Sequence, residues 1–158
     1  MTAPVFYYDL GSPECYLMAE RIAAGELPPS TEWEPVHLGV LSSEPDRAAL
    51  EEQAADQGLQ GFRWPDPWPM DTRHAMLAAT YAKRIGRVVA FSLAAFRQAF
   101  AGGRDLGEKD TLLIVGAACE IHPTALLKAL EMRSVSEALD QATSRARTAG
   151  VEALPTVA

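Results

Sequence analysis

After Leu38 the sequence offers no strand signal until Pro155, and this gap limits what the chain can fold into. Val5 to Asp9 is a short apolar run of the kind that forms a buried strand. Glu32 to Leu38 alternates in part and reads as a second strand. Pro35 has no N–H to give a ladder, so this strand lies at an edge or starts late. Between the two, Tyr16 to Ile22 carries apolar residues at helical spacing, and a helix from about Ser12 to Ala24 ends at Gly25. A strand, a helix and a strand of these lengths form a βαβ unit with parallel strands.

The stretch that follows reads as helices joined by loops. Pro45 to Gln57 is charged and should be exposed. Arg63 to Met70 holds too many prolines for either ladder and is a loop. Asp71 or Thr72 then caps a helix to Ile85, Gly86 stops it, and an apolar helix runs from Val88 to Ala101. Asp110 to Ile121, Pro123 to Glu131 and Ser134 to Ala149 are three more, the last ended by Gly150. The expected fold is α/β: a sheet part in 1–40 and 150–158, with 41–149 as an all-helical insertion, in one compact unit.

The 158 residues are enough for one domain with a core, and 48% hydrophobic content argues against disorder. A net charge of −7 speaks against nucleic acid as a partner. No apolar run approaches the ~20 residues of a membrane span. Met1 to Pro4 lacks the basic and apolar regions of a signal peptide, so a cytoplasmic location is expected. Cys15 and Cys119 make neither a disulfide framework nor a metal site and should be reduced.

The chemistry concentrates in Asp9-Leu10-Gly11-Ser12-Pro13-Glu14-Cys15-Tyr16, a strand-to-helix turn. Ser12 fits the N-cap, Pro13 the first helical position, and Glu14 puts negative charge where the helix dipole favours it. The unpaired N–H groups of such a helix start can hold a thiolate, a phosphate or a carboxylate.

This turn, with Leu154-Pro155-Thr156 near the other end, resembles the thioredoxin superfamily. More narrowly it is similar to the DsbA-like branch that includes kappa-class glutathione transferases and 2-hydroxychromene-2-carboxylate isomerases. The resemblance implies a thioredoxin-like fold with the helical insertion between the second and third strands. It implies a cis Pro155, with the backbone of Leu154 pairing with the cysteinyl group of glutathione. It also implies Ser12 as hydrogen-bond partner of the glutathione sulfur, with Gly11 and Pro13 beside it. Glutathione would be the cosubstrate, without a metal. The family fold continues with a hairpin and a final helix that are absent from this chain, which stops at Ala158. A third strand left bare would invite pairing with a second copy, so a homodimer is among the expectations.

Each candidate has a plainer alternative. Ser12 is also an ordinary helix cap. Cys15 stands where the second thiol of a redox pair would stand, but serine holds the first position, so it is either a residual thiol near the site or a small core residue. Trp64 and Trp68 either wall a pocket for a small electrophilic or aromatic substrate or shield the helices. His37, at the end of the second strand, is an acid or base or a loop residue without a role. The leading expectation is a glutathione-dependent transferase or isomerase. The alternatives are a thiol–disulfide oxidoreductase using Cys15 and a non-catalytic binding module.

Overall fold

The computed structural model describes residues 2–39, 41, 44–59 and 61–158. Met1 and Val40, the bounds of the expected N-terminal segment, lie outside the described residues. β1 (Val5–Tyr8) leads into α1 (Pro13–Ala23) and β2 (Glu32–Pro35). Six helices follow: α2 (Arg47–Asp56), α3 (Arg73–Arg84), α4 (Val88–Phe100), α5 (Lys109–Ala118), α6 (Pro123–Ala129) and α7 (Arg133–Thr148). β3 (Thr156–Val157) closes a three-stranded sheet of order β2-β1-β3. β1 pairs parallel with β2 and antiparallel with β3, and β2 is at an edge as Pro35 requires.

The period of two along β1 sorts its side chains onto two faces. Phe6 and Tyr8 stack at 4.9 Å on one face, and both meet Trp33 of β2 edge-on. Tyr8 also meets Phe96 of α4, which packs beside Tyr16 of α1. The Tyr8 hydroxyl is satisfied inside this core by a 2.6 Å hydrogen bond with Ser92. On the other face Tyr7 and Val36 pack with Ala142 and Ala146 of α7. The sheet is therefore covered on both sides, and each buried Phe or Leu contributes about 1.5–3 kcal/mol.

Two expected boundaries differ by three residues. β2 ends at Pro35 and not at Leu38, because β1 turns away after Tyr8. Val36 N–H still donates to the Tyr8 carbonyl, but His37 N–H donates to Thr143 Oγ1 of α7. α5 stops at Ala118, three residues before Ile121, because Glu120 is left-handed with φ of 61°. Ile121 N–H then reaches back to the Gly116 carbonyl, a helix end normally made by glycine.

Candidate functional site

The turn after β1 is built from its own polar groups. Asp9 accepts the Ser12 N–H on its backbone carbonyl at 3.1 Å and the Gly11 N–H on Oδ1 at 2.9 Å. Ser12 is the N-cap of α1, with extended backbone, and its Oγ accepts the Cys15 N–H at 3.1 Å. The same hydroxyl donates to Glu14 Oε2 at 3.2 Å. Pro13 occupies the first turn, so its missing N–H costs nothing.

The start of α3 closes over this turn. A Cβ on Gly11 would stand 2.6 Å from Thr72 Cγ2 and 2.9 Å from Leu41 Cδ1, so a larger residue would have to displace both side chains. Thr72 is the N-cap of α3 but does not cap it with its side chain. Its hydroxyl is spent on Asp9 Oδ2, at 3.4 Å. Arg73 N–H is taken by Asp71 Oδ1 instead. Ser12 is 2% exposed and Asp9 1%.

Burial pushes the Asp9 carboxyl up to about 6, against the lowering effect of its bonds from Gly11 and Thr72. Because the folded value lies above the ordinary 3.8, the stability this group contributes is complete below about pH 4 and lost as pH rises through 6. Burial likewise pushes the Cys15 thiol up to about 12, more than its hydrogen bonds with Ser12 and the Asp9 backbone can offset. Cys15 is wholly buried in the core, so the plainer reading of this thiol is the one its surroundings fit.

The Leu154–Pro155 peptide is cis, as are Asp66–Pro67 and Trp68–Pro69. β3 pairs Val157 with Phe6 and Thr156 with Tyr7. Because the pairing is antiparallel, Leu154 and Pro155, just before β3, lie towards the C-terminal end of β1, from which the Ser12 turn departs. Leu154 packs on both hydrophobic clusters.

The other candidates are placed as follows. His37 is half-buried beside the start of α3, and burial first, then the Arg73 charge, push its imidazole down despite Asp71 and Asp140. It is a neutral ring at pH 7. Arg73 itself pairs with Asp140 at 3.1 Å and donates to Ser136 at 2.9 Å. Trp64 and Trp68 meet edge-on at 5.2 Å, and both lie on Phe100. Trp64 also donates to Glu51 at 2.8 Å and carries the Arg47 guanidinium 4.7 Å over its ring. These contacts turn both indoles onto the helices.

Two residues of the site were not singled out for roles from sequence, Asp9 and Thr72. Asp9 stands in the turn motif, yet nothing in a one-dimensional reading says that its carboxyl is buried. Thr72 reads as a helix cap, and only tertiary packing redirects its hydroxyl. The burial of Cys15 sets a simple expectation. In native protein at pH 8, iodoacetamide should label Cys119, which is half-buried, and spare Cys15, as peptide mass analysis would show. Rapid labelling of both would contradict the packing around α1.

Among the described residues no group of three His, Cys, Asp or Glu could hold a metal ion, and no helix is long and apolar enough to cross a membrane. No curated protein matches the chain significantly in sequence. Similar solved structures exist. A 2-hydroxychromene-2-carboxylate isomerase superposes with TM-score 0.87 at 18% identity, over 99% of this chain and 85% of its own. A probable DsbA oxidoreductase from Streptomyces coelicolor gives 0.78 at 17%, over 99% and 80%. The cytosolic disulfide reductase DsbM from Pseudomonas aeruginosa gives 0.70 at 16%, over 99% and 83%, and a structure of it with GSH gives 0.67. At these identities the likeness is one of fold. The sequence itself carries the same signature from the first strand to the end, since residues 5–158 match the DSBA-like thioredoxin domain, and the chain belongs to that family.

Proposed function

We propose that the protein is a glutathione-dependent enzyme, a transferase or isomerase, that holds the cosubstrate's sulfur at Ser12. One observation carries the reading: a hydroxyl, that of Ser12, holds the helix-start position, while the turn's one thiol, Cys15, lies in the core and is pushed up to about 12. A dithiol exchange within this turn has no first thiol, so disulfide reduction through it is the weaker reading. A serine hydroxyl at the positive end of a helix suits a thiolate brought in from outside.

The Ser12 hydroxyl already donates to an anion, the Glu14 carboxylate. An incoming thiolate takes that place, so binding exchanges one anion for another and moves the exposed Glu14 side chain outward. The backbone of Leu154, ahead of the cis Pro155, would pair with the cysteinyl amide, as the family resemblance implies. A thiol lowered from about 8.5 to about 7 is roughly fifteen times more ionised at neutral pH. The thiolate then forms a C–S bond with a small electrophilic or aromatic substrate. If the bond persists the outcome is conjugation; if it breaks again after rotation the outcome is isomerisation. The expected compartment is the cytoplasm, where thiols are kept reduced.

Calorimetric titration tests the reading. Glutathione should bind at least about tenfold more tightly than S-methylglutathione, because only the thiol can present a charged acceptor to Ser12. Equal affinity for both, or none for either, would defeat the proposal.

A further inference from the structure

We infer that, on the reading of the turn as a thiolate site, Met76 is its positioning residue: the Met76 sulfur fixes, from α3, the peptide plane that holds Ser12 at the head of α1. Asp9 to Ser12 form a tight turn, closed by the Ser12 N–H donating to the Asp9 carbonyl at 3.1 Å. The Asp9 carbonyl and the Leu10 N–H belong to one planar peptide unit. That N–H donates to Met76 Sδ at 3.3 Å, in a buried contact between residues 66 positions apart. One plane is thus gripped at both ends, by the sulfur on its N–H and by the Ser12 N–H on its carbonyl. The Gly11 N–H goes to Asp9 Oδ1 and the Cys15 N–H to Ser12 Oγ. Of the N–H groups of Leu10, Gly11, Ser12 and Cys15, that of Leu10 is the one bonded to another element. Thr72, four residues before Met76 and on the same face of α3, lies against Gly11 and Asp9.

Packing alone does not ask for sulfur here. Met76 is wholly buried in the main core, where leucine has nearly the same volume and no polar atom. A thioether is a weak acceptor, yet it is the one given to this buried amide. Leucine at position 76 would leave the Leu10 N–H buried without that partner. The peptide unit could then regain a partner only by rotating, and rotation carries the Asp9 carbonyl away from the Ser12 N–H. Ser12 would lose its place while the core around α1 kept its own. The hydroxyl would no longer meet an entering sulfur in line, and a misplacement of about 1 Å costs on the order of 10²-fold in rate. The same kind of bond occurs once more, from the Leu106 N–H to Met70 Sδ at 3.3 Å, on the loop before α5. It touches no atom of the Asp9–Leu10 peptide.

The ultraviolet thiolate absorbance of bound glutathione, followed against pH, tests this without a second substrate. In the wild type and in Met70→Leu the midpoint should lie near ~7. In Met76→Leu it should return toward the ~8.5 of a free thiol, and glutathione should bind about tenfold more weakly at pH 7. Both variants lose one N–H···S bond, so their melting temperatures should fall by similar amounts while only one midpoint moves. Should Met76→Leu fail to fold, the chain is made with norleucine in place of methionine, which keeps the shape and removes the acceptor, and with selenomethionine, which keeps both. Norleucine should move the midpoint and selenomethionine should not. A midpoint and affinity that stay at their wild-type values in Met76→Leu, or in the norleucine chain, overturn the inference and leave the thiolate site standing. So does a Met70→Leu midpoint that moves as far as that of Met76→Leu. A wild-type midpoint at ~8.5, or no bound glutathione, overturns both.

Discussion

Phe100→Ala is expected to lower the unfolding free energy by about 3–5 kcal/mol. Phe100 is wholly buried at the end of α4, where four aromatic side chains converge on it. Tyr16 of α1 stacks on it at 5.6 Å, and Phe62, Trp64 and Trp68 surround it at 5.8 to 6.3 Å. Its carbonyl accepts the Arg63 N–H at 2.6 Å. The ring is thus the point where the proline-rich loop is fastened to the helices. Rigid rings on several sides limit collapse into the space left behind, which puts the cost at the upper end. For a domain of this size the melting temperature should fall by about 10 °C or more. Trp64 and Trp68 touch the ring directly, so their fluorescence should shift to the red in the folded variant. A loss below ~1 kcal/mol with unchanged emission would mean that the loop is not docked on Phe100.

That loop also shows what a one-dimensional reading can and cannot supply. Arg63 to Met70 is recognisable as a loop because its prolines forbid either ladder. Nothing in it says which way the indoles turn, and an exposed pocket wall and a helix cover read alike. The same holds at the turn. Ser12, Pro13 and Gly25 mark α1 by local rules of capping and backbone conformation, and the structure places the helix within a residue of the expected bounds. The roles of Asp9 and Thr72 arise from residues 63 positions apart, beyond the reach of any local pattern. Glu120 misled for the opposite reason. The left-handed end of α5 is normally a glycine's, so a glutamate there reads as one more helical residue. β2 is shorter than its pattern because Val36 to Leu38 keeps alternating after the partner strand has turned away. Sequence pattern thus located the turn and the returning Leu-Pro segment, while burial and charge, which decide their chemistry, came from the packing of α3.

Ser12→Ala should reduce the glutathione-dependent rate by at least about tenfold, roughly 1.4 kcal/mol of lost thiolate stabilisation, with a further loss of about 1 kcal/mol in stability. The two effects have different origins and can be separated. The stability loss comes from the cap, because the Cys15 N–H loses its acceptor. The rate loss comes from the hydroxyl's donated proton, now held by Glu14 and free to pass to an incoming thiolate. Ser12→Gly distinguishes them, since glycine at an N-cap costs only a few tenths of a kcal/mol while removing the same hydroxyl. It should be nearly as stable as the wild type and as slow as Ser12→Ala. The pH profile gives a second measure. In the wild type the rate should rise with an apparent pKa near ~7, and in both variants that midpoint should return toward the ~8.5 of a free thiol. A Ser12→Gly protein with full rate and an unmoved profile would reduce Ser12 to the cap of its helix.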